Sequence, residues 1–260
     1  MSRRPTAAGP PHPAVPPVPP DLEAVVFDHD GVLVDSVRGD LLACSALFRD
    51  FGARLPGDLW ATEVCGRPDG YPGLFRTLRA ASGTDADDAD LWRRLEAHWE
   101  RYLTARHVVL RPGVRELLGA LRTAGYPLAV ASAADADWVG RWLGHYDLAG
   151  SFDVVVTGEQ VARRKPDPAV YLEAASRLGV PPERCVVFED SVTGVAAARA
   201  AGMTVLAVPT EATRVCDYSA AHHVLPDLRA VEPSWFPPAR PTTRRAVASR
   251  RRPAATDRSL

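Results

Sequence analysis

Two carboxylates carry the first sign of chemistry. Asp28 and Asp30 stand at i and i+2, directly after the apolar run of residues 23–27 (EAVVF). In extended backbone such side chains share a face, so both can act on one substrate. They would also lie at the carboxyl end of a strand, where open α/β sheets place their sites. Two anions this close repel unless a cation lies between them, and a hard, oxygen-seeking ion such as Mg²⁺ suits them. A D-x-D pair alone is better explained by a polar turn. A buried strand, D-x-D-G and a helical segment behind it together tip the reading toward function.

A second acidic strand end, Val186-Val187-Phe188-Glu189-Asp190-Ser191, opens a helix. Asp190 reads either as an ordinary N-cap or as a partner of Asp28 on one divalent ion, and the two readings overlap across Glu189, Asp190 and Ser191. A third strand ends in a hydroxyl at Ser132. That hydroxyl and the free backbone N–H groups behind it, Ala133 first, can hold phosphate oxygens, although serine is also a common helix cap. The fourth feature is Lys165, set between Arg164 and Pro166-Asp167-Pro168. The chain has 30 arginines and this single lysine. A lone lysine in such company asks for a task that a compact ammonium performs and a guanidinium does not. His29, between the two aspartates, should face away from them, for packing or a local hydrogen bond.

The elements that must position these groups follow from the hydrophobic pattern. Strands are expected at residues 23–27, 127–131, 152–156, 185–188 and 204–208, with a weaker one at 222–225. Their β-branched, nearly continuous apolar character suits strands covered on both faces. Helical stretches alternate with them at 114–124, 135–143, 169–178 and 192–201, which implies a doubly wound, Rossmann-like α/β fold on a parallel sheet. Residues 36–110 break this rhythm: helical stretches at 41–51, 73–81 and 91–104 and no convincing strand. Inserted after the first strand, they read as an α-helical cap domain, with hinges at 34–36 and 111–113. The core domain is then 21–35 plus 111–231.

The rest of the chain bounds the reading. At 260 residues, with 46% hydrophobic and 24% charged residues, it suits one soluble domain with an insertion. Residues 1–20 hold eight prolines and residues 232–260 are rich in Pro and Arg, so both are expected to be disordered arms, with Trp235-Phe236 as a loose anchor. The formal net charge of −1 conceals +2 in the first arm, +5 in the second and −8 between them. An acidic body argues against nucleic acid as a partner, and an anionic ligand in it needs a local cation. The opening MSRRPTAAGPPHP lacks the apolar stretch of a secretory signal, and no run reaches the length of a membrane span, so no membrane partner is expected. Four scattered cysteines fit reduced thiols in a cytoplasmic setting.

Taken in order, FDHDGVLVDS, the strand-end Ser132, KPDPAVYLEAASRLG and VVFEDSVTGVAAARAAGM resemble the four motifs of the haloacid dehalogenase superfamily. More narrowly, they are similar to its β-phosphoglucomutase-like phosphatase branch, across roughly residues 22–228. The resemblance implies a Mg²⁺-dependent phosphatase acting as a monomer on a small phosphorylated metabolite such as a sugar phosphate. Asp28 would be the nucleophile that forms an aspartyl-phosphate, and Asp30 the acid and base. Asp28, the main-chain oxygen of Asp30, and Asp190 would bind the metal, with Glu189 as a further ligand or just behind it. Ser132, Ala133 and Lys165 would hold the phosphoryl oxygens, and the cap would close over the substrate.

Departures from relatives narrow the branch. Haloacid dehalogenases lack the second aspartate, which is present here as Asp30, and phosphonatases need a cap lysine, which is absent. The alternative, a β-phosphoglucomutase-type phosphotransferase, must hold a second phosphate. The mutases carry Ser, Lys and Asn where this chain has Ala134, Asp135 and Ala136, and a histidine where it has Asp40. Asp135 is expected to repel a second phosphate, and Arg67, Arg76 and Arg79, cap cations able to bind an anionic group, read first as solvated surface charges. Hydrolysis is the favoured expectation.

Overall fold

A computed structural model describes residues 18–67 and 69–239. Most of the sequence-predicted arms, residues 1–17 and 240–260, lie outside the described residues. Six strands form one all-parallel sheet: β1 (Ala24–Phe27), β2 (Leu128–Ala131), β3 (Val154–Val156), β4 (Cys185–Glu189), β5 (Thr204–Ala207) and β6 (His223–Val224). Their spatial order is β3-β2-β1-β4-β5-β6, so the chain winds outward in both directions from β1. Strand alternation divides the core. Val25 and Phe27 face one layer with α4 (Val114–Thr123) and α5 (Ala136–His145). Ala24 and Val26 face the other, with α6 (Ala169–Leu178) and α7 (Val192–Ala200). With both faces covered, the central strands must be apolar throughout, and β1, β2 and β4 are fully buried.

Between β1 and α4 the chain builds a helical layer from α1 (Val37–Asp50), α2 (Gly70–Ser82) and α3 (Asp88–Tyr102). It has its own core around Leu47, Phe48, Trp60, Leu74, Phe75, Leu91 and Leu95. The two strands of chain that enter and leave it run side by side. Asp35 N–H donates to Val109 O at 2.7 Å and Arg111 N–H to Leu33 O at 3.0 Å. The hinge is therefore a pair of crossings clipped together rather than two independent linkers. No helix among the described residues is long and apolar enough to cross a membrane.

The boundary expected at Val231 does not stand. A 3₁₀ turn at Pro233–Trp235 lays Trp235 and Phe236 into the α4–α5 face of the core, 3% and 6% exposed. Phe236 meets Tyr126 edge-on at 5.9 Å, and Ala239 N–H donates to Ala124 O at 2.7 Å. Two large apolar rings outweigh the polar composition around them, so residues 232–239 belong to the body.

Candidate active site

The parallel register brings the sequence-predicted residues to one sheet edge. Phe27 pairs with Val130 on one side and Phe188 on the other, so Asp28, Ser132 and Glu189-Asp190 emerge from adjacent strand ends. Lys165, on the loop between β3 and α6, reaches in among them and is only 5% exposed. Its Nζ donates to Asp28 Oδ1 at 2.7 Å and to Glu189 Oε1 at 2.8 Å, and lies 4.7 Å from the centre of the Tyr171 ring. Glu189 is held on both oxygens. Oε1 also accepts from the Tyr171 hydroxyl at 2.9 Å, and Oε2 accepts from Ser191 N–H at 2.7 Å and Ser191 Oγ at 3.0 Å. Ser191 in turn caps α7, its hydroxyl accepting from Gly194 N–H at 3.0 Å. The N-cap role considered for Asp190 thus falls to its neighbour.

Asp190 is left facing the cluster. It is 2% exposed, and its Oδ2 has no partner among the described residues. Carboxylate oxygens of Asp28, Glu189 and Asp190 lie within 4.8 Å of one another. Burial pushes Asp28 up to about 7, aided by Glu189 and opposed by Lys165. Burial together with Glu189 and Asp28 raises Asp190 well above the carboxylate range. Burial alone would lower Lys165, but Asp28 and Glu189 outweigh it and raise its pKa. Three acids against one ammonium leave the pocket short of positive charge. Hard oxygen donors, an orphaned buried carboxylate oxygen and this charge deficit fit a divalent cation such as Mg²⁺. Gly31, at φ +82°, makes room for the cluster, since a Cβ there would lie 1.9 Å from Asp190 Oδ2.

Asp30 stands apart from that group. Its Oδ1 accepts from Ser36 Oγ at 2.5 Å and Trp138 Nε1 at 2.8 Å, and its Oδ2 from His29 Nδ1 at 3.1 Å. Burial raises it, but the attraction of His29 and hydrogen bonds from His29, Ser36 and Trp138 win and hold it below the usual carboxylate range. His29 is fully buried and makes a local bond, yet that bond is to the catalytic candidate itself. Trp138 was not legible as a site residue, because nothing in its spacing links it to Asp30.

Ser132 is 1% exposed and takes its backbone hydrogen bond from β3, donating to Val156 O at 2.9 Å. Its Oγ accepts from Ala134 N–H at 3.0 Å, which leaves the hydroxyl hydrogen free. Helix α5 begins only at Ala136, so Ser132 is not its cap. Ser132 and Ala133 join Asp28, Asp30, Lys165 and Asp190 on the floor of a cavity of about 540 Å³ roofed by the helical layer. Its upper wall includes Asp40, Trp60, Tyr71 and Trp99. Of the three cap arginines considered, only Arg67 lines it; Arg79 is engaged with Asp88 and Ala86 O. Asp135 is paired with Arg164 at 2.6 Å, which offsets the repulsion expected of it.

Comparison with known proteins agrees with this geometry. The haloacid dehalogenase-like hydrolase model matches residues 22–202. The CbbY protein of Rhodobacter capsulatus is 34% identical over 232 residues, covering 84% of this chain and 98% of that protein. The phosphorylated carbohydrates phosphatase of Thermotoga maritima is 34% identical over 184 residues, covering 70% and 82%. A crystal structure of a HAD family hydrolase from Deinococcus radiodurans R1, with bound phosphate and sodium, superposes with a TM-score of 0.70 at 30% identity, covering 84% and 99%. A second, of a β-phosphoglucomutase-class protein from Thermotoga maritima, gives 0.65 at 31% identity, covering 80% and 96%. The chain belongs to the haloacid dehalogenase-like hydrolases, in their β-phosphoglucomutase-like branch.

Proposed function

We propose that this hydrolase is a Mg²⁺-dependent phosphatase that cleaves a small phosphomonoester through an aspartyl-phosphate on Asp28. The observation that carries the reading is the buried triangle of Lys165, Asp28 and Glu189 beside the unpartnered Asp190 oxygen. When bound, Mg²⁺ would be held by Asp28, Asp190 and the main-chain oxygen of Asp30, where it would offset phosphoryl charge. Glu189 has both oxygens engaged and serves instead to fix Lys165.

The chain's own groups divide the work. Asp28 attacks phosphorus with one oxygen, forming the Asp28–phosphate bond as the bond to the leaving oxygen breaks. Lys165, Ser132 and the Ala133 N–H stabilise the charge on the three equatorial oxygens. Asp30 gives a proton to the leaving oxygen, then takes one from the water that hydrolyses the acyl phosphate. The ionised, triply bonded Asp30 seen here suits the second task. Donating a proton requires it to turn toward the substrate and away from Ser36 and Trp138. The helical layer would close over the substrate and exclude bulk water. Free thiols at all four cysteines fit a reducing, cytoplasmic setting.

Phosphate release from a panel of phosphomonoesters, with Mg²⁺ present and after chelation, tests the reading. Metal-dependent release that disappears in Asp28→Asn is expected. Isomerisation of a sugar phosphate outpacing release of free phosphate would replace hydrolysis with the transfer alternative.

A further inference from the structure

The roof of the cavity contains an arrangement that hydrolysis does not require. Asp40, on α1, receives three hydrogen bonds from distant parts of the cap. Trp60 Nε1 and the Tyr71 hydroxyl donate to Oδ2 at 3.0 and 2.9 Å, and Trp99 Nε1 donates to Oδ1 at 2.6 Å. Indole N–H groups can only donate, and Trp60, Trp99, the Tyr71 hydroxyl and the Cys44 thiol all direct donors at Asp40, an arrangement that favours its carboxylate form against the burial that raises its pKa. Two consequences follow for a ligand.

First, the polar handles of three aromatic residues lining the cavity are occupied, and Trp138 on the opposite wall is likewise bound to Asp30. Tyr71, Trp99 and Trp138, half-buried, offer a substrate ring surface and little else, while Trp60 is 2% exposed and belongs to the cap core. The rings are also fixed in place. Tyr71 meets Trp99 edge-on at 5.4 Å, and both pack on Trp92, at 5.3 and 6.0 Å. Second, Asp40 is only half-buried and itself lines the cavity, so a fixed negative charge faces the space above the phosphate floor. Arg67 is exposed and also lines the cavity, and no ion pair to Asp40 is found among the described residues.

We propose that Asp40 is the specificity-determining residue of the cap: it locks an aromatic wall in place and selects phosphomonoesters of uncharged, ring-bearing alcohols. Esters whose leaving group carries a carboxylate or second phosphate are disfavoured. Ring faces pack against the apolar C–H face of a sugar, while the remaining lone pairs of Asp40 accept from a sugar hydroxyl. An anionic leaving group meets the repulsion of this carboxylate across the cavity. This proposal rests on the phosphatase reading and names its substrate class.

The test compares kcat and KM for glucose 6-phosphate, fructose 6-phosphate and ribose 5-phosphate with those for phosphoglycolate and glucose 1,6-bisphosphate. Inhibition by inorganic phosphate serves as a measure of the floor alone. In the unaltered protein the best sugar monophosphate should exceed both anionic esters in kcat/KM by about tenfold or more. Asp40→Asn removes the charge and keeps the shape. It should lower KM for phosphoglycolate and raise it for the sugar, each by about threefold or more, with phosphate inhibition unchanged. A merely structural role would move both KM values upward together. Trp99→Phe, which keeps a ring and removes one donor, should raise the sugar KM and leave phosphate inhibition alone, and it decides the case if the first variant does not fold. Phosphoglycolate turned over as well as the sugars, or both KM values shifting in one direction, overturns the proposal while sparing the phosphatase reading. Turnover of no ester at all overturns both.

Discussion

Lys165 Nζ lies 2.7 Å from Asp28 Oδ1, across 137 residues of sequence, at the buried end of the cavity. That one contact opposes the burial that, together with Glu189 and Asp30, raises the pKa of the nucleophile. It also explains the single lysine of the chain. An ammonium can reach Asp28 and Glu189 at once in a space closed by Tyr171, while a guanidinium is planar and larger.

Lys165→Met should therefore lose activity by at least about a hundredfold, and Lys165→Arg should not restore it. Breaking this buried pair also leaves uncompensated acids, at a cost of about 3–5 kcal/mol in metal-free protein. Steady-state rates and chemical denaturation in chelator give the two readings separately. An active, fully stable Lys165→Met enzyme would remove the central role given to this ammonium.

Metal and pH should act on stability together. Asp28 is raised to about 7 and Asp190 well above its normal range, so the folded protein holds protons there more tightly than the unfolded chain. The stability contributed by their neutral forms is fully present below about pH 4 and is lost as pH rises toward and through about 7. In chelator, the melting temperature contributed by this cluster should fall across that window, and Asp28→Asn should flatten the fall. Saturating Mg²⁺ should restore stability at neutral pH, by about 2.7 kcal/mol at a hundred times its dissociation constant. Calorimetry at several pH values with and without Mg²⁺ checks both signs; a melting temperature indifferent to Mg²⁺ would count against the metal site.

Gly31→Ala probes the same cluster sterically. The added methyl would fall 1.9 Å from Asp190 Oδ2 at a backbone φ of +82°. Asp190 must move, so Mg²⁺ affinity should drop about tenfold or more, with a stability loss of about 1–3 kcal/mol. Isothermal titration of Mg²⁺ into the variant measures the first effect, and wild-type affinity would show that Asp190 is not a ligand.

Trp235→Ala tests the corrected boundary. A 3% exposed indole in the main core should cost about 3–5 kcal/mol when truncated. Denaturant titration reads this directly, and a loss below about 0.5 kcal/mol would return the segment to the status of a loose anchor.

What proved legible in the chain were strand ends. Asp28, Ser132 and Asp190 each follow a short buried run, and a parallel sheet turns that local pattern into a shared edge because every strand points the same way. The residues that escaped notice act across long separations. Trp138 reaches Asp30 over 108 residues, and Trp60, Tyr71 and Trp99 reach Asp40 over 20, 31 and 59. An indole at helical spacing reads as core packing, and its N–H partner is set by how two helices meet.

Local order alone thus determined the sheet, its inserted helical layer, the acids and hydroxyl at the strand ends and the lone lysine of the loop after β3, because periodicity, strand-end chemistry and residue type are short-range properties of the chain. The tertiary structure alone decided that Ser191 caps α7 and frees Asp190, that Glu189 braces Lys165, that Trp235 joins the core, and that Asp40 gathers an aromatic wall. Each of those depends on which donor happens to lie nearest a buried acceptor, and distance in space is something sequence separation does not encode.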